Sequence, residues 1–327
     1  MKMPEITEHQ DGIIQIKISM SFPLRWVNSY VLQESDGITI IDPGPHTADN
    51  EEEWRQAFAE LGMTFSDVRQ IVLTHHHPDH LGCSGWIQQL SGCKVWMSER
   101  SFQETLLMWG PESTMHADLP KLFSSQGMPE EWTNQLEAHM NGFVAQITPK
   151  PEVSFIPSDQ KFAMGGREWL PIETAGHAPG HLSFLHEESG IIICGDAVLP
   201  QISPNVSLMP GSDPEPLQSF LLGLQKLQKF EVETAYPGHR NPFQHFGDRL
   251  EALLRHHEER LAKLEQLIAS APAPGYELCV SLFGSKLGIH QMRFAMCETL
   301  AHTRELERRG RIASQSEADG VTRYHIC

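Results

Sequence analysis

An α/β fold built in two sheet halves is what this 327-residue chain predicts, and three observations carry it. Strand-like and helix-like periods alternate up to about residue 97. A helical, methionine-rich stretch then interrupts them over 98–150. Strand alternation returns from about residue 153.

The elements follow in order. "IIQIKI" (Ile13 to Ile18), "NSYVLQE" and "GITII" read as strands, the last ending in the turn Asp42 to Gly44. Trp54, Phe58 and Leu61, spaced i, i+4, i+7, mark an amphipathic helix before the apolar strand Ile71 to Leu73 and a further strand in "CKVWMS". "FQETLLMWG" and "EEWTNQLEAHMNGF" have no strand alternation, so 98–150 is expected to be a helical cap. "EVSFI", "REWLPIETAG", "HLSFLHEESG" and "IIICGDAVL" supply the second group of strands. Asp213 is the expected N-cap of a helix with Pro214 at its first position and Leu217, Phe220, Leu221, Leu224 and Leu227 on one face, ahead of the strand "ETAY". A charged helix over 247–271, the linker "APAPG", and a helix-plus-hairpin tail complete the chain. The expected units are 1–246 with its cap, the connecting helix 247–271, and the tail 272–327.

Composition narrows the function. Forty-two acidic residues against 25 basic ones give a formal charge of -17, which opposes binding to phosphate backbones. The tail is close to neutral, with seven basic residues against six acidic ones, too weak a basic face for a nucleic-acid reader. No apolar run approaches a membrane span, and the N-terminal "MKMPEITEHQDG" lacks an export-type apolar region. Six scattered cysteines without a CxxC pair suggest reduced thiols and a cytoplasmic location.

The chemistry sits in "IVLTHHHPDHLG", where four histidines and an aspartate occupy six positions after an apolar run. In an extended segment His75 and His77 project the same way and His76 points away, while the turn at Pro78 aims Asp79 and His80 at an adjacent point. Imidazole and carboxylate are ligands for zinc and similar ions. His177 in "AGHAPGH", Asp196 in "CGDAV" and His239 in "YPGHR" each follow an apparent strand beside turn residues, so all would gather at one sheet edge. Isolated histidines such as His46 and His186 carry no such argument. Cys194, two residues before Asp196, reads as a buried small residue rather than a ligand.

In this order, THxHxDH, GH, GD and GH resemble the metallo-β-lactamase-fold superfamily, over the span from Asp42 to His239. The resemblance implies an αββα sandwich and a site for two divalent ions per chain, zinc first, with iron or manganese as alternatives. It implies His75, His77 and His177 on one ion, Asp79, His80 and His239 on the other, and Asp196 between them, with Asp79 and Asp196 also acting in catalysis. Asp42 matches the carboxylate that orients a ligand histidine, and His181 is left to support the site or touch substrate. The lactamases of this fold lack the Asp79 and Asp196 pair, so antibiotic hydrolysis is disfavoured. The tail is similar to the small winged-helix module of some members.

Two bridged cations would ionise water at neutral pH and polarise a carbonyl or phosphoryl oxygen, making the chain a hydrolase. An ester or thioester, as in the similar glyoxalase II group, is the expected substrate. The alternatives are a phosphodiesterase or endoribonuclease of the same fold and a metal- or ligand-responsive DNA-binding regulator. The methionines and tryptophans of the cap could line an acyl pocket or merely anchor its helices. Phe22, Arg25, Trp26 and Asn28 in the early loop, together with Trp109 and Arg240, are the candidate substrate contacts. The tail is expected to pack beside the site or to pair subunits as a homodimer.

Overall fold

The computed structural model describes residues 3–20, 24–157 and 160–327. The first half runs β1 (Glu5–Glu8), β2 (Ile13–Ser19), β3 (Trp26–Glu34), β4 (Gly37–Ile41), α1 (Ala48–Leu61), β5 (Val68–Val72), α2 (Pro78–Leu81), α3 (Ser84–Ser91) and β6 (Lys94–Met97). The cap contributes α4 (Glu99–Trp109), α5 (Met115–Ser125) and α6 (Glu130–Asn141). Then come β7 (Val153–Phe155), β8 (Phe162–Met164), β9 (Arg167–Glu173), β10 (Leu182–His186), β11 (Ile191–Gly195), α7 (Pro216–Leu227), β12 (Thr234–Pro237) and α8 (Phe246–Ser270). The C-terminal part holds β13 (Ala273–Pro274), α9 (Gly275–Phe283), α10 (Ile289–Arg308), β14 (Ile312–Ser316) and β15 (Thr322–Ile326).

Among the described residues, β1 to β7 form one sheet in sequence order and β12-β11-β10-β9-β8 form a second. Their strands alternate between two destinations. In β11, Ile191 and Ile193 point between the sheets, while Ile192 and Cys194 meet the helices outside. In β4, Ile41 joins the inter-sheet layer with Tyr30, Val72, Trp169 and Phe184, whereas Ile38 and Ile40 pack under α1 and α3. Both faces of both sheets are therefore covered, giving four layers, helix-sheet-sheet-helix, as the expected αββα sandwich requires. Tyr30 pins the sheets together, its hydroxyl donating to the Pro237 carbonyl at 2.6 Å.

Several elements differ from expectation for identifiable reasons. β1 is a mostly exposed edge strand, and "EITE" has no apolar alternation to betray it. α7 starts at Pro216, not Pro214, because the Asp213 carboxylate accepts from the Glu215 backbone N–H at 2.9 Å and holds a turn there. The "APAPG" linker is a strand, β13, pairing Ala273 with Tyr324, and α9 follows it directly.

Candidate metal centre and its cavity

Every residue of the expected metal set stands just beyond a strand end or in a β-β connection, at one edge of the sandwich. Asp42 follows β4, His75 to His80 follow β5, His177 and His181 lie between β9 and β10, Asp196 follows β11, and His239 follows β12. Asp42 holds a left-handed φ of 51°, unusual outside glycine, and uses it to serve the neighbouring loop. Its carboxylate accepts from the Thr74 backbone N–H at 2.8 Å, the Thr74 hydroxyl at 2.6 Å and His80 Nδ1 at 2.9 Å.

These bonds fix the tautomers. The Thr74 hydroxyl donates to Asp42, so it accepts from His75 Nδ1 at 2.9 Å and leaves His75 Nε2 without a proton. His177 Nδ1 donates to the Asn205 carbonyl at 2.8 Å and His239 Nδ1 to the Trp26 carbonyl at 3.0 Å. His75, His80, His177 and His239 thus each turn Nε2, and not Nδ1, inward. His181 differs: its Nε2 accepts from the Asp196 backbone N–H at 3.1 Å and its Nδ1 meets Thr174 Oγ1 at 2.8 Å. Both of its nitrogens are occupied in holding the Asp196 turn.

The inward atoms converge. Asp196 Oδ2 lies 3.5 Å from His80 Nε2, 3.5 Å from His177 Nε2 and 3.4 Å from His239 Nε2. Asp79 Oδ2 lies 3.2 Å from His239 Nε2 and 3.7 Å from His80 Nε2. His75 Nε2 and His77 Nδ1 are 3.0 Å apart, and the donor atoms of His75, His77 and His177 form one compact group, those of Asp79, His80 and His239 another. His75 and His80 also cluster with Asp42, whose carboxylate is already spent on Thr74 and His80.

Three observations test whether such a set suits a cation. His80 Nε2, His177 Nε2, His239 Nε2 and Asp196 Oδ1 are buried with no hydrogen-bond partner among the described residues, a cost that a bound cation removes. Two ligands about 2.0 Å from a tetrahedral ion stand about 3.3 Å from each other, close to the spacings found here. Finally, a Cβ on Gly238 would sit 2.2 Å from Asp196 Oδ1 and 2.6 Å from His80 Cε1, so only glycine lets these side chains close together. Electrostatics agree. Burial holds His75 and His77 well below the ordinary imidazole value, so both rings are neutral, the form that ligates a metal. Burial also opposes charge on His239, yet Asp196 and Asp79 lift it to about 10, so the carboxylates demand a positive partner.

The cluster opens into a cavity of about 280 Å³. Met108, Trp109, Met140 and Phe143 of the cap line it, with Leu199, Ile202 and Met209 from the loop before α7. Met115 and Met128 are buried in the core instead, so the cap's methionines divide between both expected roles.

Of the residues read as substrate contacts, Trp109 lines this cavity, and Arg25, Trp26, Asn28 and Arg240 do not. Arg25 is exposed. Trp26 offers its carbonyl to His239, while its ring lies under the Lys17 ammonium at 4.9 Å. Asn28 is spent in the scaffold, accepting from Gln15 and donating to the carbonyls of Pro237 and Arg240. Phe22 lies outside the described residues. His76 belongs to neither donor group yet borders the cavity. Cys194 is buried, its thiol reaching the carbonyls of Val198 at 3.3 Å and Tyr236 at 3.5 Å.

The cavity wall includes residues to which the sequence reading gave no role: Asn205, and His290, Arg293 and Phe294 of α10. A signal for Arg293 existed, since it falls on the helix stripe with Met296, Cys297 and Leu300, a charged side chain among buried apolar ones.

Known proteins bear on this geometry. A family model described as the metallo-beta-lactamase superfamily matches residues 24–239, and one described as a metallo-beta-lactamase-like C-terminal domain matches residues 261–327. A metallo-beta-lactamase family protein from Thermus thermophilus is 31% identical, with a TM-score of 0.85 over 97% of this chain and 99% of its own. A beta-lactamase domain protein from Burkholderia ambifaria is 27% identical, with a TM-score of 0.88 over 99% and 94%. The Bacillus subtilis protein named Probable metallo-hydrolase YqjP is 24% identical over 95% of this chain and 97% of its own. Hydroxyacylglutathione hydrolase GloC of Haemophilus influenzae is 25% identical over 52% and 65%. Atrochrysone carboxyl ACP thioesterase of Aspergillus fumigatus is 23% identical over 66% and 51%.

Proposed function

The chain belongs to the metallo-beta-lactamase superfamily and is a metallo-hydrolase, and within that class we propose that it cleaves a thioester or ester with two divalent cations. His75, His77 and His177 would hold one, Asp79, His80 and His239 the other, and Asp196 both. The donor set of imidazoles and carboxylates without thiolate suits zinc, and also iron or manganese.

The observation that carries the substrate class is the cavity, an apolar chamber opening on the donor cluster. Methionine, leucine and tryptophan side chains there favour an acyl group over a polyanion. When bound, cations of this kind acidify water and polarise the scissile carbonyl, so no serine or cysteine nucleophile is needed. The chain's own residues do the positioning. Asp42 and Thr74 lock His80 and His75 in one tautomer, and the carbonyls of Asn205 and Trp26 do the same for His177 and His239. Asp196 and Asp79 would supply the negative charge that fixes the centre.

The thioesterase and the acylglutathione hydrolase among the relatives support this reading. So do the tail arginines: Arg308 and Arg309 pair with Glu305, Arg311 with Glu265 and Arg323 with Asp319, leaving them committed within the fold. We assign residues 272–327 as a winged-helix-like module that walls the cavity. A reducing, cytoplasmic setting fits six free cysteines, five of them buried. No helix among the described residues is long and apolar enough to cross a membrane.

The test is kcat/KM on a panel of thioesters, an ester, a lactone and a single-stranded RNA at fixed metal. Faster cleavage of RNA, weakening steeply with salt, overturns the assignment.

A further inference from the structure

Arg293 is a buried cation in the cavity wall. It is 8% exposed, and its guanidinium lies over the Phe294 ring at 4.1 Å and the Phe143 ring at 5.5 Å. Ring faces compensate a cation only in part. Among the described residues no carboxylate, carbonyl or hydroxyl accepts a hydrogen bond from it, and its Nε is buried without a partner. The other arginines of the tail, Arg304, Arg308, Arg309, Arg311 and Arg323, each pair with a carboxylate. Burial pulls the Arg293 pKa below its ordinary value, as expected when nothing nearby offsets the charge. Its histidine neighbours do not help: His139 and His290 are held near 4 by burial and then by Arg293 itself.

A buried guanidinium without an anion is a strongly unfavourable arrangement unless a ligand brings one. The same cavity wall presents Arg293, an apolar stretch of Met108, Met140 and Met209, and the Asp79, His177 and Asp196 edge of the donor cluster. We propose that Arg293 anchors a carboxylate at the far end of the substrate's acyl group, so that the substrate is an ω-carboxyacyl ester or thioester. A planar carboxylate matches the guanidinium fork. A phosphate dianion matches the site less well, because Asp79 and Asp196 face the same chamber of about 280 Å³. The scissile bond in this inference rests on the hydrolase reading above; the anion site does not.

The test uses N-acetylcysteamine thioesters, whose carrier is uncharged, in matched pairs: succinyl with butyryl, glutaryl with pentanoyl, and adipoyl with hexanoyl. In the wild type, kcat/KM should favour the carboxyacyl member of at least one pair by about tenfold or more. Arg293→Met should lower that ratio by about 100-fold, the scale for breaking a desolvated charge pair, and Arg293→Lys by less. A wild type that prefers the neutral members overturns the proposal, as does a ratio unchanged in Arg293→Met. If Arg293→Met does not fold, the wild-type ratio and the lysine variant still decide. Dissociation constants for the non-hydrolysable thioether analogues, carboxylate-ended and methyl-ended, separate the two readings. If no thioester is cleaved but the carboxylate-ended thioether binds at least about tenfold tighter and loses that advantage in Arg293→Met, the anion site stands and the thioesterase reading falls. Equal binding of both thioethers sinks the anion site alone.

Discussion

Asn205 Nδ2 donates to Glu298 Oε2 at 2.8 Å, and through that bond the C-terminal helix reaches the candidate metal centre. The Asn205 carbonyl holds His177 Nδ1, its side chain also donates to the Phe294 carbonyl, and Glu298 is in turn paired with Arg260 of α8. Residues 83 to 121 positions away from His177 in sequence, Arg260, Phe294 and Glu298, therefore help to set its ring. Glu298→Ala would leave Arg260 without its carboxylate and Asn205 Nδ2 with only the more distant Phe294 carbonyl. We expect a loss of about 3 kcal/mol in unfolding free energy and about tenfold weaker metal retention. Glu298→Gln, which can still accept from Asn205, should keep more of the metal. Denaturant titration and metal analysis after dialysis check both, and full metal retention by Glu298→Ala would show that His177 is set without this link.

Asp196→Ala should lower kcat by about 10³-fold, the scale seen when a group that organises developing charge is removed. His76→Ala and Cys194→Ala should cost far less, because neither side chain belongs to the donor groups. Activity at constant metal, with far-UV dichroism confirming the fold, checks the order. A Cys194 variant as impaired as Asp196→Ala would mean the wrong side chain has been given the central role.

Gly238→Ala puts a methyl group 2.2 Å from Asp196 Oδ1 and 2.6 Å from His80 Cε1. The carboxylate and imidazole must move apart, so metal content and activity should fall together, by about tenfold or more, in a chain that still folds. Wild-type metal content in this variant would contradict the close packing of the centre.

Chelation should abolish hydrolysis and lower the melting temperature together. An ion bound only by the folded state stabilises it by about 2.7 kcal/mol when present at 100 times its dissociation constant. Melting curves with and without chelator, followed by restoration with zinc, iron or manganese, measure the coupling and rank the ions. An activity that survives in metal-free protein ends the two-cation reading.

Acid should loosen the junction between α8 and α10. His302 Nδ1 donates to the Glu298 carbonyl at 2.7 Å, so its Nε2 accepts from His257 Nδ1 at 3.0 Å and both rings are neutral. Burial holds His257 down to about 2 and His302 to about 3, against 6.5 when unfolded. Below pH 6.5 the unfolded chain therefore binds protons that the folded chain refuses, and stability falls with pH, each ring contributing up to about 1.4 kcal/mol per pH unit. Unfolding free energies between pH 5 and 7.5 should slope accordingly, and His257→Leu should remove about one ring's share. An unchanged slope in that variant would place the acid sensitivity elsewhere.

What the sequence made legible was local. "HHHPDH" packs its donors into one loop, and the other three positions each follow a strand beside glycine or proline, so a sheet edge gathers them without any knowledge of the packing. Cross-chain partnerships were not legible. Asn28, a polar residue on a buried strand, reads equally well as a substrate contact or as a tie between sheets, and only its bonds to residues 237 and 240 decide for the tie. Arg25 and Arg240 drew attention for lying near motifs, whereas the arginine on the cavity wall is on a helix more than 50 residues beyond the last of them. Proximity in the chain finds the side chains that one loop brings together, and it misses the walls of a chamber.

The chamber over the donor cluster is bounded on one side by sheet-edge loops and on another by α10. The donors and one wall of the chamber are thus inherited on separate stretches of polypeptide, while the cap's wall residues lie between the donors in sequence. A lineage could exchange Arg293, His290 and Phe294 and acquire a new clientele while its reactive centre stayed untouched, much as a lathe accepts a different chuck.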